Sequence, residues 1–232
     1  MTASSAPHSE VCTARRRTRI PFWWVLVALS SSIEGADASM IFSDLGTADS
    51  YDSSHGFVIG KPPFSVSQAA EFTNAAAGSV SLDRVDLGLA YISGGNDAMV
   101  SLWTANQHTP GSELAQWSIS LPADPTAPAG LTSVSGISGV SLQPGADYFL
   151  QVAATSDGIL SWNLNDVGAT ARMFFATAGG PGQTTITTAP AFQLQGTLVP
   201  TPLPDSVWLI LSGLLPFLFR TVGKKSTDSF QT

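Results

Sequence analysis

Cysteine is nearly absent. The 232 residues contain one, Cys12, near the start of the chain. It lies ahead of the site where a leader is expected to be cut, so the remaining body has neither disulfides nor thiolate ligands. Basic residues are scarce too. Between residues 39 and 198 only Lys61, Arg84 and Arg172 stand against twelve Asp and Glu, and three less twelve leaves −9. A surface of that sign repels phosphate backbones and anionic lipid, which excludes nucleic acid as a partner. Long segments with a 3.6-residue apolar period are also missing, which excludes a helical body. Histidine is down to His55 and His108 in this region. They sit in separate polar loops without the spacing of a zinc pair.

What the chain does have is two apolar runs at its ends. Arg15, Arg16, Arg17 and Arg19 precede Phe22-Trp23-Trp24-Val25-Leu26-Val27-Ala28-Leu29. Ala36-Asp37-Ala38 then supplies a small-x-small site before Ser39. Basic zone, short apolar core and small-residue site in that order read as a signal peptide over residues 1–38, cut after Ala38 by signal peptidase. The apolar core falls short of the roughly 20 residues a spanning helix needs. The paired arginines leave twin-arginine export open, although the residues after them favour the general route.

At the other end, Pro200-Thr201-Pro202-Leu203-Pro204 leads into an apolar run from Val207 to Phe219, followed by Arg220, Lys224 and Lys225. As a helix, residues 206–219 cover about 21 Å, against a hydrocarbon core about 30 Å thick. Leu203, Thr221 and Val222 extend it, and the lysines can snorkel. The three cations are expected on the cytoplasmic side, where they stop translocation. Residues 199–232 therefore read as a proline hinge, a transmembrane helix and a short basic tail, with residues 39–198 facing outward. This order of prolines, apolar helix and basic cluster resembles the PEP-CTERM sorting tail of Gram-negative surface proteins. Thr201 replaces the usual glutamate, and Pro202-Leu203-Pro204 is closer to a proline-leucine-proline variant. The resemblance implies processing by an exosortase and passage from the inner membrane to the cell surface or the medium.

The body, about 160 residues long, is large enough for one domain with its own core. Period-two alternation runs through Val80–Ile92, Met99–Trp103, Leu114–Ile119, Tyr148–Val152, Ile159–Leu164, Met173–Phe175 and Ala191–Leu194. Turn-forming residues separate the runs at 93–97, 109–111, 143–147 and 156–158. Alternation with one buried face and frequent turns predicts an all-β fold, an antiparallel two-sheet β-sandwich of jelly-roll type. The stretch 140–152 resembles the strand–turn–strand of bacterial jelly-roll modules. Ile41-Phe42-Ser43-Asp44-Leu45-Gly46 through Phe57 resembles the opening of choice-of-anchor extracellular domains, a likeness that implies architecture and no chemistry.

No catalytic set emerges, and the expectation is a protein that is not an enzyme. Gly136-Ile137-Ser138-Gly139 lacks the spacing of a nucleophile elbow. Gly179-Gly180-Pro181-Gly182 has no helix behind it to hold a phosphate. Asp83 and Asp86, three apart, are expected on opposite faces of a strand. No cofactor is expected. Calcium is the one metal with any oxygen ligands to offer, at Asn163, Asn165, Asp166, Asn96, Asp97 and Asp157, where turn chemistry explains the same residues. Trp103, Trp117 and Trp162 leave core packing and a sugar-stacking platform open, with core packing favoured on alternating strands. The functional expectation is a structural or interaction module linked to exopolysaccharide or biofilm matrix, with a carbohydrate-binding module as the alternative. Loop carboxylates about 5–9 Å apart in a cleft would instead suggest a glycoside hydrolase.

Overall fold

The computed structural model describes residues 39–60, 64, 67–127, 130–155, 157–177 and 182–200. The leader residues Ala36 and Ala38, the sorting residues Thr201, Pro202, Leu203 and Pro204, and the cations Arg220, Lys224 and Lys225 lie outside them. Pro200 is described and is exposed just beyond the last strand. Among the described residues no helix is long and apolar enough to cross a membrane.

The described chain is all-β and antiparallel. Its strands are β1 (Ser39–Ser43), β2 (Asp52–Gly60), β3 (Ser67–Thr73), β4 (Val80–Leu87), β5 (Leu89–Ser93), β6 (Asp97–Asn106) and β7 (Thr109–Ser120). Then follow β8 (Thr132–Ser135), β9 (Ser141–Leu142), β10 (Asp147–Ala154), β11 (Ile159–Leu164), β12 (Thr170–Ala176), β13 (Gln183–Thr188) and β14 (Phe192–Leu198). One short 3₁₀ turn, Thr47–Asp49, sits between β1 and β2.

Hydrogen bonding sorts the strands into three ladders. One runs β1-β14-β4-β8 with β9 also on β4, one runs β13-β12-β3-β10-β6-β7, and the smallest runs β2-β11-β5. The first and the smallest join at a three-way junction. Gly88 N donates to Ala191 O at 2.9 Å, Asn163 N to Gly88 O at 2.8 Å, and Ala191 N to Asn163 O at 2.7 Å. Gly88 separates β4 from β5, so one continuous stretch of chain serves both ladders. A side chain at 88 would meet the Ala191 Cβ at 3.0 Å and the Tyr51 ring at 3.2 Å, which is why glycine fits there.

Side-chain alternation explains what packs between the ladders. Ala70 and Phe72 of β3, Leu102 and Val100 of β6, and Tyr148, Leu150 and Val152 of β10 enter one core with Val80, Leu82, Val85 and Leu87 of β4. Aromatic rings span the gap. Phe42 of β1 stacks on Phe192 of β14 at 4.8 Å and meets Phe72 of β3 at 5.6 Å. Phe57 of β2 meets Phe175 of β12 at 5.6 Å. Trp162 of β11 is fully buried against Phe192 at 5.8 Å, and its indole N–H donates to Ala191 O at 3.1 Å. Each such buried side chain contributes about 1.5–3 kcal/mol by leaving water.

Two local expectations change. The hairpin between β6 and β7 turns at Gln107 and His108, with Asn106 paired to Thr109, so Thr109-Pro110-Gly111 lies inside β7. Asp83 and Asp86 reach the same face. The register of β4 on β14 slips between Arg84–Gln195 and Leu82–Gly196, leaving Asp83 as the extra residue of a bulge. Thr197 then donates to Asp83 Oδ2 at 2.6 Å, on the face where Gln193 donates to Asp86. A bulge adds one residue and cancels the odd spacing.

Candidate functional site

Polar groups gather at four places, and three of them have structural explanations. On the outer face of β4, fully buried Asp86 accepts from Arg84 Nε at 2.8 Å, Ser133 Oγ at 2.5 Å and Gln193 Nε2 at 3.0 Å. That satisfies a buried carboxylate and ties β4, β8 and β14 together. Asp44, at the end of β1, is 3% exposed. Its Oδ1 accepts Phe192 N–H at 2.8 Å while Oδ2 has no partner. Burial pushes its carboxyl up to about 7, against the opposing pull of that backbone hydrogen bond.

The third place holds the residue types of a hydrolytic triad, Asp52, Ser54 and His55. Asp52 Oδ2 stands 2.7 Å from His55 Nδ1 and Ser54 Oγ 3.0 Å from the same nitrogen. A relay needs the acid on one ring nitrogen and the nucleophile on the other. These residues form an exposed local turn in which Ser54 N–H and Oγ–H both bond to Asp52, holding its carboxyl down at about 2.

The fourth place is the outer face of the six-stranded ladder. There β3, β10 and β6 lie side by side, with Phe149 in register with Glu71 on one side and Trp103 on the other. Tyr148 and Leu150 belong to the core, so Phe149 points outward, yet it is fully buried. Beside it runs a hydrogen-bonded row. Trp103 Nε1–H donates to Ser101 Oγ at 2.8 Å, Ser101 Oγ–H to Gln151 Oε1 at 3.4 Å, and Gln151 Nε2–H to Ser67 Oγ at 2.6 Å. The row fixes a half-buried indole on a sheet face.

At one end of this face is a cleft of about 310 Å³ lined by Glu71, Thr104, Gln107, His108, Asp147 and Tyr148 among others. His108 Nδ1 stands 3.0 Å from Glu71 Oε1, and Arg172 Nε lies 3.3 Å from Glu71 Oε2 in ion-pair contact. Asp147 accepts Thr73 Oγ1–H at 2.5 Å. Gln107 (φ 50°) and His108 (φ 64°) both take the left-handed conformation that a two-residue hairpin turn of this type demands. Asn-Gly is the ordinary choice there. Two residues with bulky side chains therefore hold strain at the mouth of the cleft.

The sequence candidates fall as follows. Trp162 is core, Trp117 packs against the core from β7, and Trp103 alone faces out. The three do not form a platform together. Asn165 spends its side-chain carbonyl on Ala169 N–H at 2.8 Å and its amide on Ala169 O and Ala189 O. Asn163 accepts from Ser161 Oγ at 3.0 Å. Both are buried, Asn163 within β11 and Asn165 in the turn after it, and no group of three or more His, Cys, Asp or Glu suited to a metal occurs among the described residues. Sequence reasoning missed Glu71, Arg172 and Gln151, because nothing in a strand's pattern tells which distant strand becomes its neighbour. Comparison with protein-family models, curated proteins and solved structures finds no match.

Proposed function

We propose that this chain is an exported, surface-displayed or matrix-released interaction module that docks on extracellular polysaccharide. In this reading a signal peptide ending at Ala38 directs export from a Gram-negative cell, and the body is a two-layer, jelly-roll-like β-sandwich. A proline-leucine-proline sorting tail parks it in the inner membrane for an exosortase. The ends of the sequence support the export half. The observation that carries the binding half is the Trp103–Ser101–Gln151–Ser67 row. A half-buried indole held by its own N–H on the outer sheet face, beside a cleft with carboxylates, sets apolar surface and polar groups side by side. That combination suits a sugar ring, which has an apolar face and a hydroxylated rim.

The two halves are tested separately. Mature protein begins at Ser39 on N-terminal sequencing. In a host with an exosortase the tail is trimmed, and replacing Pro202 and Pro204 with alanine leaves insertion intact but blocks trimming. Normal trimming of that variant, or an uncut tail in both hosts, makes the segment a plain anchor. For binding, retention on immobilised exopolysaccharide falls about tenfold in Trp103→Ala, about 1.4 kcal/mol. Unchanged retention removes the face from the reading.

A further inference from the structure

We propose that the outer face of the six-stranded ladder recognises an amine-bearing polysaccharide, Trp103 taking the sugar face and the carboxylates of Glu113 and Asp147 taking its ammonium groups. The proposal rests on the polysaccharide reading above and specifies its ligand.

The Trp103, Ser101 and Gln151 donors are engaged in one row that ends on Ser67, while exposed Gln107 and Gln116 carry side-chain amides outside that row and Arg172 Nε has no hydrogen-bond partner. Glu71 is held between His108 and Arg172. With Nδ1 committed to Glu71, His108 has Nε2 left over. Beside them stand two exposed carboxylates, that of Glu113 and that of Asp147, whose Oδ1 already accepts Thr73 Oγ1–H. An ammonium brings three donors, which such carboxylates can accept.

Glu113 of β7 is the register partner of Trp103, with a bulge on either side of the pair, and its side chain is exposed. Directly paired residues have Cβ atoms about 5 Å apart. Aromatic face and carboxylate together attract a cation, through the ring quadrupole and through charge. Asp147 and Glu71 are diagonal neighbours on β10 and β3, and both line the cleft beyond Phe149.

Alternation also puts Asp97 on this side of β6, next to inward-facing Ala98. Four acids, Glu71, Asp97, Glu113 and Asp147, then share the face with one guanidinium, Arg172, on a body carrying −9. An anionic glycan is repelled, whereas a cationic one is drawn in from beyond contact distance.

The test uses the full-length chain in neutral detergent, titrated calorimetrically with a short β-linked glucosamine oligomer, its fully N-acetylated counterpart and an oligolysine of equal charge. The glucosamine oligomer is expected to bind at least about tenfold tighter than the acetylated one, and raising salt from about 0.05 to 0.5 M should weaken it several-fold. Glu113→Gln and Asp147→Asn are expected to lose about tenfold each, and Trp103→Ala at least as much, with Trp103→Phe between. Unchanged circular dichroism shows that a variant still folds. Equal binding of the acetylated oligomer overturns the ammonium assignment and leaves the polysaccharide reading standing. Oligolysine binding as tightly as glucosamine, and indifferent to Trp103→Ala, overturns the sugar assignment. No binding of any oligomer overturns both.

Discussion

Asp44→Asn should make the domain more stable at pH 8 and flatten its pH dependence between pH 4 and 7. Asp44 is almost completely buried, with one oxygen on Phe192 N–H and the other without a partner. Desolvation raises its carboxyl from 3.8 to about 7. An acid whose folded value lies above its unfolded value binds more protons when folded. Its contribution is therefore complete below about pH 4 and is lost as pH climbs to 7. The shift is about 3 units, and each unit is 1.36 kcal/mol, so about 4 kcal/mol disappears across that window. That is a large share of the 5–15 kcal/mol typical of a domain. Asparagine keeps the acceptor for Phe192 but leaves an amide donor without a partner, at about 1–3 kcal/mol. The net gain at pH 8 is then about 1–3 kcal/mol, and the two curves cross between about pH 4.5 and 6, below which the wild type is the more stable. Urea unfolding followed by the emission of buried Trp162 measures this. With a slope near 2 kcal/mol per molar, the wild-type midpoint should fall by about 2 M from pH 4 to pH 8, and that of Asp44→Asn should not. Asp52 does not confuse the result, because its depressed value of about 2 moves its own loss of stability to the acid side of pH 4. Equal pH slopes in the two proteins would refute the reasoning.

Two further variants test the site and the frame. Asp86→Ala should cost about 2–4 kcal/mol, since Gln193 and Ser133 lose the acceptor that ties three strands, whereas Arg84→Gln, on a side chain 47% exposed, should cost less than about 1 kcal/mol. Thermal unfolding separates them, and equal losses would mean that the ion pair rather than the network matters. Replacing Gln107-His108 with Asn-Gly should relieve the left-handed strain and stabilise the domain by about 1 kcal/mol while weakening ligand capture at the cleft. A variant neither more stable nor weaker in binding would show that the strain serves nothing.

The legible part of this fold was the part written in period two. Alternation marked the strands around residues 80–92, 99–103, 148–152 and 159–164, because each presents a clean apolar face to one core. It did not mark β13, Gln183–Thr188, whose largely exposed polar residues form an edge and offer no apolar stripe to see. Nor did it mark β3, where Ser67-Gln68-Ala69-Ala70 is buried throughout and small or polar residues stand where bulky ones would have announced a strand. Alternation also failed wherever one residue was inserted: the bulge at Asp83 reversed a facing argument, and the turn at Gln107-His108 fell two residues early.

The candidate site was less legible for a further reason. Its parts come from five strands that are distant in sequence: Glu71 from β3, Trp103 from β6, Glu113 from β7, Asp147 from β10 and Arg172 from β12. Their types are unremarkable one at a time, and each alone is better read as a solvated strand residue. Only strand order makes them neighbours, and strand order is set by how apolar faces find one another across the whole core. The composition nevertheless constrained the answer in advance. A body with three basic residues cannot assemble a large cationic surface by any strand order, but it can easily gather acids on one face. Charge scarcity thus limits the sign that any large charged surface of this body can take, and topology decides which acids lie together.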